Sequence, residues 1–193
     1  MPFDPWTSVR TAHDFAADEV ISALQKEIRR GHAENAAVLA FEMLSTSAEL
    51  EAMLWRRLLV ISVEDVGFGD LQAPQLVHTL CQIAERFERA GSPPDRGLFA
   101  IHAVRYLASR PKDRSSDEMY GWIQKAMAVG ELRPDIPDYA LDRHTARGQA
   151  LGRGREHYYQ EAARLIPELE GRDMTYRQRL LALLERDAEG AGG

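Results

Sequence analysis

Arg143, His144, Arg147, Arg153, Arg155 and His157 crowd one short stretch of a chain whose formal charge is -6. Gly148, Gly152 and Gly154 are interleaved with them in "LDRHTARGQALGRGREHYYQEA". Arginine forks and unhindered backbone amides are the ingredients of a phosphate site. A guanidinium donates two parallel hydrogen bonds to an oxyanion, and glycine lets the main chain come close. If Leu141 to Gln149 is helical, Arg143 and Arg147 share a face at i, i+4. There like charges repel by about 0.2–0.5 kcal/mol unless an anion or carboxylate lies across them. The glycines equally suit a hinge that ends one helix and starts another, with the arginines paired to Asp135, Asp138, Asp142, Glu156 or Glu161. Tyr158 and Tyr159 could stack on bases, although adjacent helical residues point about 100° apart, which favours packing for at least one. Structural hinge, anion or nucleic-acid contact, and catalysis all stand open on these residues.

A second punctuation is "SVEDVGFGD", residues 62 to 70. Glu64 and Asp65 sit together at a helix C-terminus, where the macrodipole disfavours acids. This predicts a neutralising partner: Arg56 or Arg57 one to two turns earlier, or an arginine elsewhere. Paired carboxylates can do acid–base work, but neighbouring helical residues diverge. A salt-bridged helix end turned by Gly67 and Gly69 is the expectation.

Other chemistry lacks its residues. The sequence has no Gly-Lys-Ser/Thr and no Rossmann glycine fingerprint, so it is not a self-sufficient P-loop NTPase. No Gly-x-Ser-x-Gly elbow appears, and the one cysteine, Cys81, lies in an apolar run where it reads as a buried small hydrophobe. His144 and His157 stand thirteen residues apart with no His-x-x-x-His or His-Glu-x-x-His. No metal, no cofactor and no enzymatic activity are expected.

The 193 residues are 45% hydrophobic and 28% charged, in the range of a globular domain able to bury a core. An acidic balance of 30 Asp+Glu against 24 Lys+Arg argues against generic electrostatic nucleic-acid binding and leaves room for a local basic patch. The N-terminus lacks a signal-peptide pattern, and no apolar run approaches membrane-spanning length, so a cytoplasmic location is expected.

Helical periodicity positions everything else. "DEVISALQKEIRRG" puts Val20, Ile21, Leu24 and Ile28 on one face and stops at Gly31. The next run carries Leu39, Ala40, Met43 and Leu44. A capping box of Thr46 with Glu49 opens a helix burying Leu50, Met53, Leu54, Leu58 and Ile61. Pro74 and Gly91 bracket a stripe of Val77, Leu80, Cys81, Ala84 and Phe87. Leu98, Ile101, Val104 and Leu107 follow after prolines. A second box, Ser115 with Glu118, leads Met119, Trp122, Ile123, Ala126 and Met127. No segment alternates with period two over a strand's length, so the fold is all-α, a compact array of antiparallel helices. Its parts are an N-terminal arm over 1–17, a helical body over 18–130, a Pro-led C-terminal helical segment over 131–187 and a fraying tail over 188–193. Phe3 and Trp6 in the arm could dock on a neighbouring subunit or fold back.

"ISALQKEIRRGHAENAAVLAFEML", "RRLLVISVEDVGFGD" and "LFAIHAVRYLASRPKDR" resemble, in order and spacing, the C-terminal helical region of the replication-associated recombination AAA+ ATPases of the Mgs/Rar type. The resemblance runs from Asp18 to Lys125, with a weaker echo to Leu165. It implies a clamp-loader-type collar in which Arg56, Arg57, Glu64, Asp65 and Gly67 are structural motif positions. It also implies a homo-oligomer, dimer or tetramer, acting at stalled forks and single-stranded DNA ends. The family's ATPase module has no counterpart in these residues, "FGD" and "PKDR" depart from its usual continuations, and the 141–162 stretch is unlike its glycine-tyrosine ending. The expected function is a non-catalytic oligomerisation or interaction protein serving DNA replication or repair, with a separate ATPase subunit and single-stranded DNA as candidate partners. The alternative is a phosphate-, nucleotide- or nucleic-acid-binding protein or enzyme built on residues 143–157.

Overall fold

Ala17–Arg30 forms α1 because acids open it, arginines close it, and Gly31 takes the left-handed conformation (φ 80°) that ends it. The structure, a computed structural model, describes residues 5–87 and 94–190. After α1 come α2 (Ala33–Thr46), α3 (Ala48–Ile61), α4 (Ala73–Ala84), α5 (Pro94–Ser109) and α6 (Ser115–Ala128). The shorter α7 (Ala146–Ala150) and α8 (Arg155–His157) follow, and then α9 (Thr175–Gly190). The fold is all-α; among the described residues the only extended pairing is an isolated bridge between Arg10 and Ala16. The chain divides into two compact units, Met1–Glu131 and Leu132–Gly193.

In the first unit α2 packs against α1, α3 and α5, and α4 packs against α5. The fully buried Leu24, Ile28, Met43, Leu50, Leu54, Leu58, Ile61, Val77, Val104 and Leu107 form its core. Each such large side chain contributes about 1.5–3 kcal/mol relative to leaving it in water. The periodicity missed Trp55, Ala100 and Ala103, which are also buried. Small residues carry little hydrophobic signal, yet they let α5 approach its neighbours closely.

Several expectations are corrected. Leu98 is exposed; Ala100, Ala103 and Val104 take the inward face of α5 instead. Ser47, not Thr46, caps α3, accepting from the Leu50 N–H at 3.2 Å. Thr46 stays in α2, where its hydroxyl donates to the Glu42 carbonyl. Ser115 caps nothing, because Asp113 Oδ1 accepts the Ser115 N–H at 2.8 Å. The α4 helix ends at Ala84, where Arg96 donates to the carbonyls of Ala84 and Phe87 and ion-pairs with the buried Glu51. Gly91, Phe3 and the 191–193 end of the tail lie outside the described residues.

From residue 5 the arm lies on its own unit. Trp6 packs against the core, the Ala12 N–H donates to Thr46 Oγ1, and His13 meets Glu42 through both its backbone N–H and its ring. Cys81 is half-buried, and desolvation pushes its thiol pKa up. In the second unit, of the described side-chain positions, only Leu141, Asp142 and Gly148 are buried. No described helix is long and apolar enough to cross a membrane.

Candidate functional site

The chain leaves α3 through a single π turn, Ser62–Val66, which rotates both acids of "EDVG" toward α1. Asp65 is fully buried. It accepts from Arg29 Nε and from Gln25 Nε2 (2.9 Å), with Arg114 Nε 4.0 Å away. Glu64 accepts from Arg29 Nη2 at 3.1 Å and Gln25 Nε2 at 2.8 Å, and Arg114 Nη2 stands 3.6 Å off. The neutralising arginines are therefore Arg29 and Arg114, from elsewhere in the chain. Arg57 instead donates to Gln25 Oε1, and Arg56 is exposed with no polar partner among the described residues. Gln25, Arg29 and Arg114 were missed because their meeting is tertiary; the only signal was the unexplained pair of acids.

Gly67 (φ 51°) turns the chain against the "PKDR" segment, and the Asp113 N–H donates to the Asp65 carbonyl at 3.0 Å. Lys112 closes the end of α5 by donating to the carbonyls of Leu107 and Ala108. Burial holds its pKa below the usual lysine range. Asp70 accepts from the Tyr106 hydroxyl at 2.6 Å, and that bond holds its carboxyl below the ordinary range. The two sequence blocks thus meet as one turn-to-turn joint, at the root of α6.

In the second unit the arginines and histidines do not converge on one surface. Thr145 caps α7 by accepting from the Gly148 N–H, so Arg143 lies before the helix and shares no helical face with Arg147. That corrects the i, i+4 expectation. Arg153 is committed to Asp138 through a two-oxygen contact (2.8 and 2.7 Å) and to the carbonyls of Asp138 and Leu141. His144 Nδ1 lies 2.9 Å from Asp142 Oδ2, and Arg143 Nε donates to His144 Nε2 at 3.2 Å. Both contacts fit the tautomer protonated at Nδ1. These bonds from His144 hold Asp142 below the ordinary carboxylate range. The His144 ring meets Tyr158 edge-on, Tyr158 meets Tyr159 the same way, and the His157 Nδ1 is buried without a partner among the described residues. Gly148 presses on the Asp142 backbone so closely that a Cβ would stand 1.9 Å from its carbonyl oxygen. Gly152 and Gly154 face open space. Arg147 and Arg155 are exposed and form no ion pair among the described residues. No described cluster of three or more His, Cys, Asp or Glu could hold a metal.

The first unit is an all-α body whose third helix ends in a π-turned acidic pair held by Arg29, with Arg114 close by. The sequence model described as MgsA AAA+ ATPase C terminal matches residues 31–167, and the chain belongs to that family. It is 37% identical over 151 residues to "Replication-associated recombination protein A" of Bacillus subtilis (strain 168), covering 77% of this chain and 34% of that protein. The protein of the same name from Escherichia coli (strain K12) is 33% identical over 144 residues, 73% of this chain and 30% of the relative. "ATPase WRNIP1" of Dictyostelium discoideum is 29% identical over 144 residues, 75% of this chain and 16% of the relative. The chain thus spans about a third of the length of the two bacterial relatives and less of the third.

Proposed function

We propose that this chain is a non-catalytic helical assembly module that self-associates as a dimer or tetramer and serves DNA replication or recombination. A separate ATPase subunit is its partner, with ATP chemistry residing outside these residues. The carrying observation is α6. This helix meets the rest of its unit chiefly at the Ser62–Val66 turn, and around its buried Ala126 it leaves Met119 60%, Trp122 57% and Met127 48% exposed. Large apolar side chains grouped on one element mark an interaction surface more often than a solvated one. Light scattering at micromolar concentration is expected to give a dimeric or tetrameric mass. Changing Met119 and Trp122 together to Glu should reduce it to the monomer without loss of helical circular dichroism. A monomeric parent chain overturns the reading.

A second reading, contact with single-stranded DNA, is favoured by the two unpaired cations Arg147 and Arg155. Arg153 and His144 support their own turn under this reading. Binding of a labelled oligonucleotide should weaken as salt rises, because each neutralised phosphate releases counterion, and should fall further in Arg147→Ala/Arg155→Ala. Salt-independent binding, or none at low salt, rejects it.

A further inference from the structure

We infer that the cleft between the N-terminal arm, α1 and α3 binds a small phosphate monoester carrying a planar ring, a ligand of the mononucleotide class. The cleft holds about 430 Å³, within the range of small-molecule sites. Arg57 of α3 and Lys26 of α1 both line it.

Arg57 is half-buried and has no carboxylate within ion-pair distance among the described residues. Its Nη2 donates to the neutral Gln25 amide oxygen, and the amide nitrogen of Gln25 is committed to Glu64 and Asp65. Its Nε is buried and finds no acceptor among the described residues. A half-buried cation without a counterion is costly, and an anion in the cleft removes that cost. Arg29, one turn beyond Gln25, shows the contrast: it is held by both carboxylates.

Lys26 forms no ion pair among the described residues either; its ammonium donates to Ser22 Oγ at 2.5 Å. Among the described residues Asp18 is the single carboxylate lining the cleft, so the described lining carries one more cation than carboxylate. A guanidinium, an ammonium and a hydroxyl suit an oxyanion with several acceptor oxygens better than a carboxylate with two. Beside them Trp6, Ile21 and Met53 supply apolar walls. An indole and a thioether favour an aromatic partner over an aliphatic one.

The test titrates the full chain at low ionic strength with AMP, adenosine and inorganic phosphate, following heat and melting temperature. AMP is expected to bind and raise the melting temperature, with adenosine and phosphate each roughly tenfold weaker or more. Ser22 is exposed, so Ser22→Glu should leave the fold intact while placing a carboxylate beside Lys26. It should weaken AMP by roughly tenfold or more. Arg105→Ala, an exposed cation outside the cleft lining, should leave AMP unchanged. Absence of binding up to about 10 mM AMP, phosphate binding as tightly as AMP, or Ser22→Glu binding AMP normally each overturns the assignment.

Discussion

Asp65→Ala is expected to lower the unfolding free energy of the first unit by about 3–5 kcal/mol, a large fraction of what a domain ordinarily has. The carboxylate is fully buried and joins Arg29, Gln25 and the nearby Arg114. Removing it leaves Arg29 facing only Glu64, and an amide N–H of Gln25 loses one of its two acceptors. Truncating one partner of a buried pair costs more than the pair contributes, because the other charge stays behind without compensation. Asp65→Asn keeps the shape and one acceptor, so about half that loss is expected. Glu64→Ala, at a partly exposed position, should cost about 1 kcal/mol. All three tryptophans, Trp6, Trp55 and Trp122, lie within the first unit, so fluorescence-detected urea unfolding reads this unit alone. Equal, small losses for all three variants would show that Asp65 is not the centre of the cluster.

The helices were readable because α1, α2 and α3 bury apolar residues at helical spacing, and α1 carries its stop signal in Gly31. The inward face of α5 was misread because Ala100 and Ala103 are weakly apolar while the exposed Leu98 is strongly so. The α3 cap slipped by one residue to Ser47, and at α6 Asp113 rather than Ser115 supplies the acceptor near the helix start, since several hydroxyls and acids compete there and local pattern does not choose among them. The stripe on α6 was visible, but periodicity reports that a face is apolar, not what covers it. "EDVG" announced that two acids needed partners. It could not name Arg29, which lies 36 positions from Asp65 and reaches it only through packing of α1 against the end of α3. Residues 143–157 differ in kind. Arg153 with Asp138 and His144 with Asp142 are near neighbours in sequence, so those pairings were within reach of local reasoning. Whether α7 began before or after Arg143 depended on Thr145 taking the cap, which charge spacing does not encode.

The joint between the two turns gives the other large effect: Gly67→Ala should cost about 3–5 kcal/mol and release α6 from its root. Two penalties combine at this position. The backbone sits at φ 51°, ψ -127°, a conformation an L side chain resists. A Cβ there would also stand 2.3 Å from the Asp113 carbonyl oxygen. Relief requires residues 111–114 to move away, which breaks the Asp113 N–H bond to the Asp65 carbonyl and draws Arg114 off Glu64. Gly69→Ala has the clash without a positive φ, its Cβ 2.4 Å from the Pro111 carbonyl oxygen, so a smaller loss is expected. Gly130→Ala isolates the other half: φ is 79° but nothing lies within 4 Å, and about 1 kcal/mol should be lost. The order Gly67, Gly69, Gly130 therefore separates packing from backbone strain in one urea series. Because α6 is anchored at this joint and carries the proposed self-association face, Gly67→Ala should also lower the solution mass at concentrations where Gly130→Ala leaves it unchanged. If Gly67→Ala unfolds no more easily than Gly130→Ala, the turns do not press on one another and "EDVG" does not hold α6 in place.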